Sequence, residues 1–184
     1  MDQLSRRKAP AIFICTIVFC LTAAAQDLNM VGLTLLRAVT TNVDGKGIRV
    51  AQVEATTALG ATNFEANPGT IGVASNLFTY ISGLGTATNF PNSVGGESGH
   101  AHDVAGNFYG SVGLATNVVH VDNFFADYFY DGIIAAVSPA NISNAVVNQS
   151  FVFGPLNASQ QQQVDSQYDD YAAQYKTLFV SGVG

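Results

Sequence analysis

GIRVAQVEA, Gly47 to Ala55, sets the architecture expected of this chain. Its run from Ile48 to Val53 is apolar and β-branched enough to form a buried strand. The strand is entered through Asp44-Gly45-Lys46-Gly47, a turn of Asp and Gly residues that tolerate positive φ. At its C-terminal end it delivers one carboxylate, Glu54. In an open parallel sheet, that end is where ligands and catalytic groups gather.

Outward from this strand, short apolar runs alternate with longer segments of helical spacing, the pattern of parallel strands joined by crossover helices. Further strands are expected at Leu77 to Ile81, Asn117 to Val121, Asn144 to Phe151 and Leu178 to Val183. Gly83 to Ser98, rich in Gly, Asn and Pro, reads as a loop. Helices are expected from His100 to Tyr109, from Asp127 to Val137 before Pro139, and from an N-cap at Ser159 to about Lys176. The fold class is therefore α/β, three-layered, with a mostly parallel sheet.

The first residues carry Arg6, Arg7 and Lys8, then an apolar run from Ala11 to about Ala24, then Ala23-Ala24-Ala25 before Gln26. Residues 1–25 thus read as a secretory signal peptide, and 26–184 as one exported domain, secreted, periplasmic or at the cell surface. No later stretch is long and uncharged enough to span a bilayer. Cys15 and Cys20 both lie in the signal, which excludes disulfides, thiol catalysis and cysteine-ligated zinc from the mature chain. Removing the signal leaves 159 residues with four basic and twelve acidic groups, a surface that repels phosphate backbones; no nucleic-acid partner is expected.

The candidate chemistry is concentrated at HAHDVAG, His100 to Gly106, with Glu97 just before it. A metal loop of the metallo-β-lactamase type needs an Asp-His pair one residue beyond the second histidine. Asp103 follows His102 directly, with Val104 next, so no metal and no cofactor is expected. The other reading makes His100 a general base at a helix start, with Glu54 as the acid that orients it. A serine hydroxyl attacks poorly until a histidine takes its proton, and that histidine needs a carboxylate to fix its tautomer. His120 reads as a structural strand residue, and Tyr168, Tyr171 and Tyr175 as one face of a helix.

With these blocks in place, the chain from about Val43 onward resembles the N-terminal half of the subtilisin-like serine peptidases, the subtilases. GIRVAQVEA resembles the strand that ends in the catalytic aspartate, and HAHDVAG the His-Gly-Thr-His-Val-Ala-Gly helix start. GLATNVVHV, Gly113 to Val121, resembles the Gly-Val-Ala-Pro segment with its following strand. VVNQSF and FVSGVG resemble the cleft-lining strand and the strand leading into the oxyanion loop. The resemblance implies a serine endopeptidase acting on polypeptide, with Glu54 and His100 catalytic, and Ser150 and Phe151 binding substrate.

The chain departs from the family at Glu54, where Asp is usual, although the related sedolisins carry a Glu. Ala101 and His102 replace Gly-Thr. The family's oxyanion asparagine would fall at the position after Gly184, and the Gly-Thr-Ser nucleophile further on. The expectation is thus a truncated peptidase domain that does not cleave peptides alone. Its alternative is a secreted, non-catalytic protein using the same scaffold as a binding surface.

Overall fold

The computed structural model describes residues 32–56, 58 and 60–182; the signal peptide expected over 1–25 lies outside the described residues. A first helix, α1 (Leu33–Val39), buries none of its side chains and is tethered by Arg37 Nη2, which donates to the Leu114 carbonyl at 2.9 Å. The chain then enters β1 (Arg49–Glu54), every residue of which is buried except Arg49. Gly45 in the preceding turn has φ of +83°, and a Cβ there would meet Val118 Cγ1 at 2.9 Å. Glycine is required at that position on both counts.

Six strands form one sheet in the order β4-β3-β6-β1-β7-β8. The members are β3 (Phe78–Ser82), β4 (Gly85–Ala87), β6 (His120–Phe125), β7 (Val146–Gln149) and β8 (Leu178–Ser181) around β1, and only the β3–β4 pairing is antiparallel. A second, two-stranded parallel sheet joins β2 (Asn63–Glu65) to β5 (Gly96–Glu97). The fold is therefore α/β with a mostly parallel sheet, as the alternation of segments implies.

Successive residues of β1 serve opposite faces. Val50 packs with Ala101, Ala105 and Tyr109 of α3 (Gly99–Phe108) and its C-cap, whereas Ala51 and Val53 pack with Phe129, Ile133 and Tyr171 on the other side. The second cluster is supplied by α4 (Ala126–Phe129), by the single π-helical turn Tyr130–Ile134 that continues it, and by α5 (Ala158–Tyr175). Each fully buried Val or Phe contributes on the order of 1.5–3 kcal/mol by leaving water. Helices thus cover both faces of the central strand.

Several boundaries differ from expectation, each for a local reason. The strand expected at Asn117 to Val121 runs from His120 to Phe125 instead. The amides of Asn117 and Val119 are taken by the carbonyls of Asp44 and Ile48 in the entry turn, so the ladder with β1 starts only at Arg49–His120. The helix expected over Asp127 to Val137 stops after Ile134, with Gly132 weakening it from within. The N-cap of α5 is Asn157, not Ser159. Asn157 Oδ1 accepts from the Gln160 amide at 3.0 Å and Gln160 Oε1 accepts from the Asn157 amide at 3.0 Å, a reciprocal box. The expected loop Gly83 to Ser98 contains β4 and β5, too short to carry a readable period. A short helix, α2 (Pro68–Ile71), completes the elements.

Candidate active site

Alternation along β1 places Val50, Gln52 and Glu54 on the face covered by α3, so the strand drives two polar side chains into an otherwise apolar layer. Buried polar groups are retained only when hydrogen-bonded, and both are. Glu54, 0 % exposed, uses both carboxylate oxygens: Oε2 lies 2.7 Å from His100 Nδ1, and Oε1 accepts from Gln52 Nε2 at 2.6 Å. Burial pushes the Glu54 carboxyl up, and the hydrogen bonds from Gln52 and His100 act in the opposite direction.

His100 is the second residue of α3, which starts where the Ser98 side chain accepts from the Ala101 amide. This cap orients the first turn so that the imidazole reaches over the end of β1. The His100 side chain remains 48 % exposed, and among the described residues its only hydrogen bond is the one to Glu54. With Nδ1–H donating to a carboxylate, Nε2 is left as a lone-pair acceptor on the open side.

The remaining members of the HAHDVAG cluster go elsewhere. His102 Nε2 is buried 3.2 Å from Glu97 Oε1 without forming a hydrogen bond, and the same oxygen accepts from Asn67 Nδ2 at 3.1 Å. Asp103 is exposed. Among the described residues, no group of three or more His, Cys, Asp or Glu side chains is placed to hold a metal ion. His120 forms a separate cluster at the other end of β1, with Nε2 3.1 Å from both Thr79 Oγ1 and Asp122 Oδ1. Both partners meet the same ring nitrogen, so this trio cannot pass a proton from the hydroxyl through the ring to the acid.

Ser150 and Phe151 lie just beyond the end of β7 and diverge to two different cavities. Ser150 Oγ accepts from Asn148 Nδ2 at 2.9 Å and lines a 420 Å³ hollow with Val104, Asn107 and Phe108 of α3. Phe151 lines a 670 Å³ cavity with Phe153, Tyr168 and Phe179 above α5. The structure brings Glu54 and His100 together, and sets Ser150 and Phe151 on separate walls.

Two further residues of the site, Gln52 and Tyr109, escape a reading for catalytic types. Gln52 and Glu54 stand two apart in a strand, which was a legible sign that they share a face. Tyr109, 57 residues away from Gln52, donates its hydroxyl to Gln52 Oε1, and nothing local announces it. Glu65, 1 % exposed, is another buried carboxylate; burial pushes it up, and its Oε1 has no hydrogen-bond partner. No protein-family model matches the chain, and no curated protein matches it.

Proposed function

We propose that this chain is the acid–base portion of a secreted, subtilisin-like serine endopeptidase domain, with His100 as general base and Glu54 as the group that orients it. The observation that carries the reading is the 2.7 Å contact between buried Glu54 Oε2 and His100 Nδ1 at the C-terminal end of the central parallel strand. A carboxylate on Nδ1 stabilises the imidazolium that forms when Nε2 accepts a proton, while itself remaining ionised. In the intact parent protein, a serine Oγ placed at Nε2 would lose its proton to His100 as it bonds to the scissile carbonyl carbon of a polypeptide. Glutamate in place of aspartate fits this role here, because its longer side chain reaches His100 Nδ1 while remaining tied to Gln52.

The test is labelling of the intact parent protein by a serine-directed fluorophosphonate probe. Labelling should vanish in His100→Ala. In Glu54→Gln it should fall by about 10⁴-fold, because the amide donates to Nδ1 and turns Nε2 into an N–H donor. Undiminished labelling of His100→Ala would remove His100 as the base. A native parent that never labels would favour the alternative reading, a non-catalytic binding protein on the same scaffold.

A further inference from the structure

Behind the Glu54–His100 pair stand two buried polar side chains, Gln52 and Tyr109, whose hydrogen bonds run in a single direction. Tyr109, 1 % exposed, caps the C-terminal end of α3 and donates its hydroxyl to Gln52 Oε1. A tyrosine hydroxyl can donate or accept, so the turn of the Gln52 amide is set by the groups at its other end. Its NH₂ then faces two acceptors, Glu54 Oε1 at 2.6 Å and the Ala101 carbonyl at 3.0 Å. Gln52 is 0 % exposed, and an unmet donor or acceptor at such depth costs more than a surface one. From Tyr109 through Gln52 to Glu54, both bonds therefore donate toward the carboxylate, and chains of this kind polarise one another.

We infer that Gln52, anchored by Tyr109, is a positioning residue that keeps the buried Glu54 carboxylate ionised and turned so that Oε2 faces His100. A buried carboxyl without such a donor takes up a proton, since desolvation disfavours the charged form. A protonated Glu54 would donate its O–H to His100 Nδ1, leaving Nε2 as an N–H and abolishing the base. The same amide ties β1 to the first turn of α3 through the Ala101 carbonyl, so one side chain fixes both members of the pair. The titratable groups facing Glu54 are His100 across the pair and Tyr109 behind Gln52, with Tyr80 of β3 beyond Tyr109. β6 and β7 present Asn123, Phe125 and Gln149 beside β1, none of which titrates.

This inference deepens the assignment of His100 as a base, and its readout needs no serine. The full chain, labelled at glutamate Cδ with ¹³C, would be followed by NMR across pH, the carboxyl shift reporting directly whether Glu54 is ionised. Gln52→Met keeps the volume and removes the donor. The ionised-to-protonated ratio of Glu54 at fixed pH should fall about 10- to 100-fold, the range of a hydrogen bond to a charged group. Tyr109→Phe keeps the ring packed against Phe78 and Phe108 and removes only the hydroxyl. It should lower the ratio about 2- to 10-fold. Should Gln52→Met fail to fold, Tyr109→Phe decides alone. An unchanged ratio in a folded variant overturns the inference, whereas a lowered ratio in a protein whose native form never labels with fluorophosphonate overturns only the peptidase reading.

Discussion

Two histidine–carboxylate pairs sit at opposite ends of β1, and their connections run in different directions. At the C-terminal end, Glu54 meets His100 through Nδ1, and the other face of the ring looks outward. At the N-terminal end, Asp122 meets His120 through Nε2 and also holds Arg49 Nη2 at 3.2 Å and Asn144 Nδ2 at 2.8 Å. Asp122 has three donors around it, one of them a full cation; Glu54 has one neutral amide and one imidazole. The Asp122 cluster ties three segments of chain together. The Glu54 pair leaves a buried carboxylate with modest support and a ring nitrogen to spare.

Removing each acid in turn should have opposite effects on stability. Asp122→Ala leaves the buried Asn144 amide and the Arg49 guanidinium without their shared acceptor, and should destabilise the chain by about 2–3 kcal/mol in urea denaturation. Glu54→Gln should shift stability the other way at neutral pH, by less. Burial raises the folded Glu54 pKa above its ordinary value of 4.5, so Glu54 favours the folded state below that value. This contribution is lost as pH rises through the folded pKa. The glutamine variant lacks the titration, so its advantage over the native chain should grow from acidic to neutral pH. A native chain more stable than Glu54→Gln at pH 7.5 would show that the pair is structural, like its counterpart at Asp122.

A smaller effect sharpens the contrast at the level of the rings. Diethyl pyrocarbonate attacks an imidazole nitrogen that is both unprotonated and accessible. His100 should be modified faster than His102 and His120, whose side chains are only 15 % and 20 % exposed. Peptide mapping of a time course measures the order; equal rates for His100 and His120 would mean that Nε2 of His100 is not open.

Much of this site is legible in the amino-acid sequence. A buried strand ending in Glu54 and a helix beginning near His100 follow from apolar runs, turn residues and helical spacing, all of which act over a few residues. His100 and Glu54 are nevertheless 46 positions apart, and their contact depends on α3 lying across the end of β1. Ser150 and Phe151, adjacent in sequence, part company because neighbours in extended chain point to opposite faces. The start of the strand expected at Asn117 to Val121 is lost because the amides of Asn117 and Val119 are drawn to the entry turn of β1, a competition that no local pattern reports.

The α/β alternation, the acidic charge balance, the Asp-Gly turn before β1, and the acid and base as candidates are all written in the sequence, because each rests on side-chain type or short-range spacing. Only the tertiary structure decided which nitrogen of each histidine meets a carboxylate, and that Tyr109 and Gln52 stand behind Glu54. Hydrogen bonds are settled by tenths of an ångström and by the direction of a lone pair. Those quantities exist only once distant segments have packed.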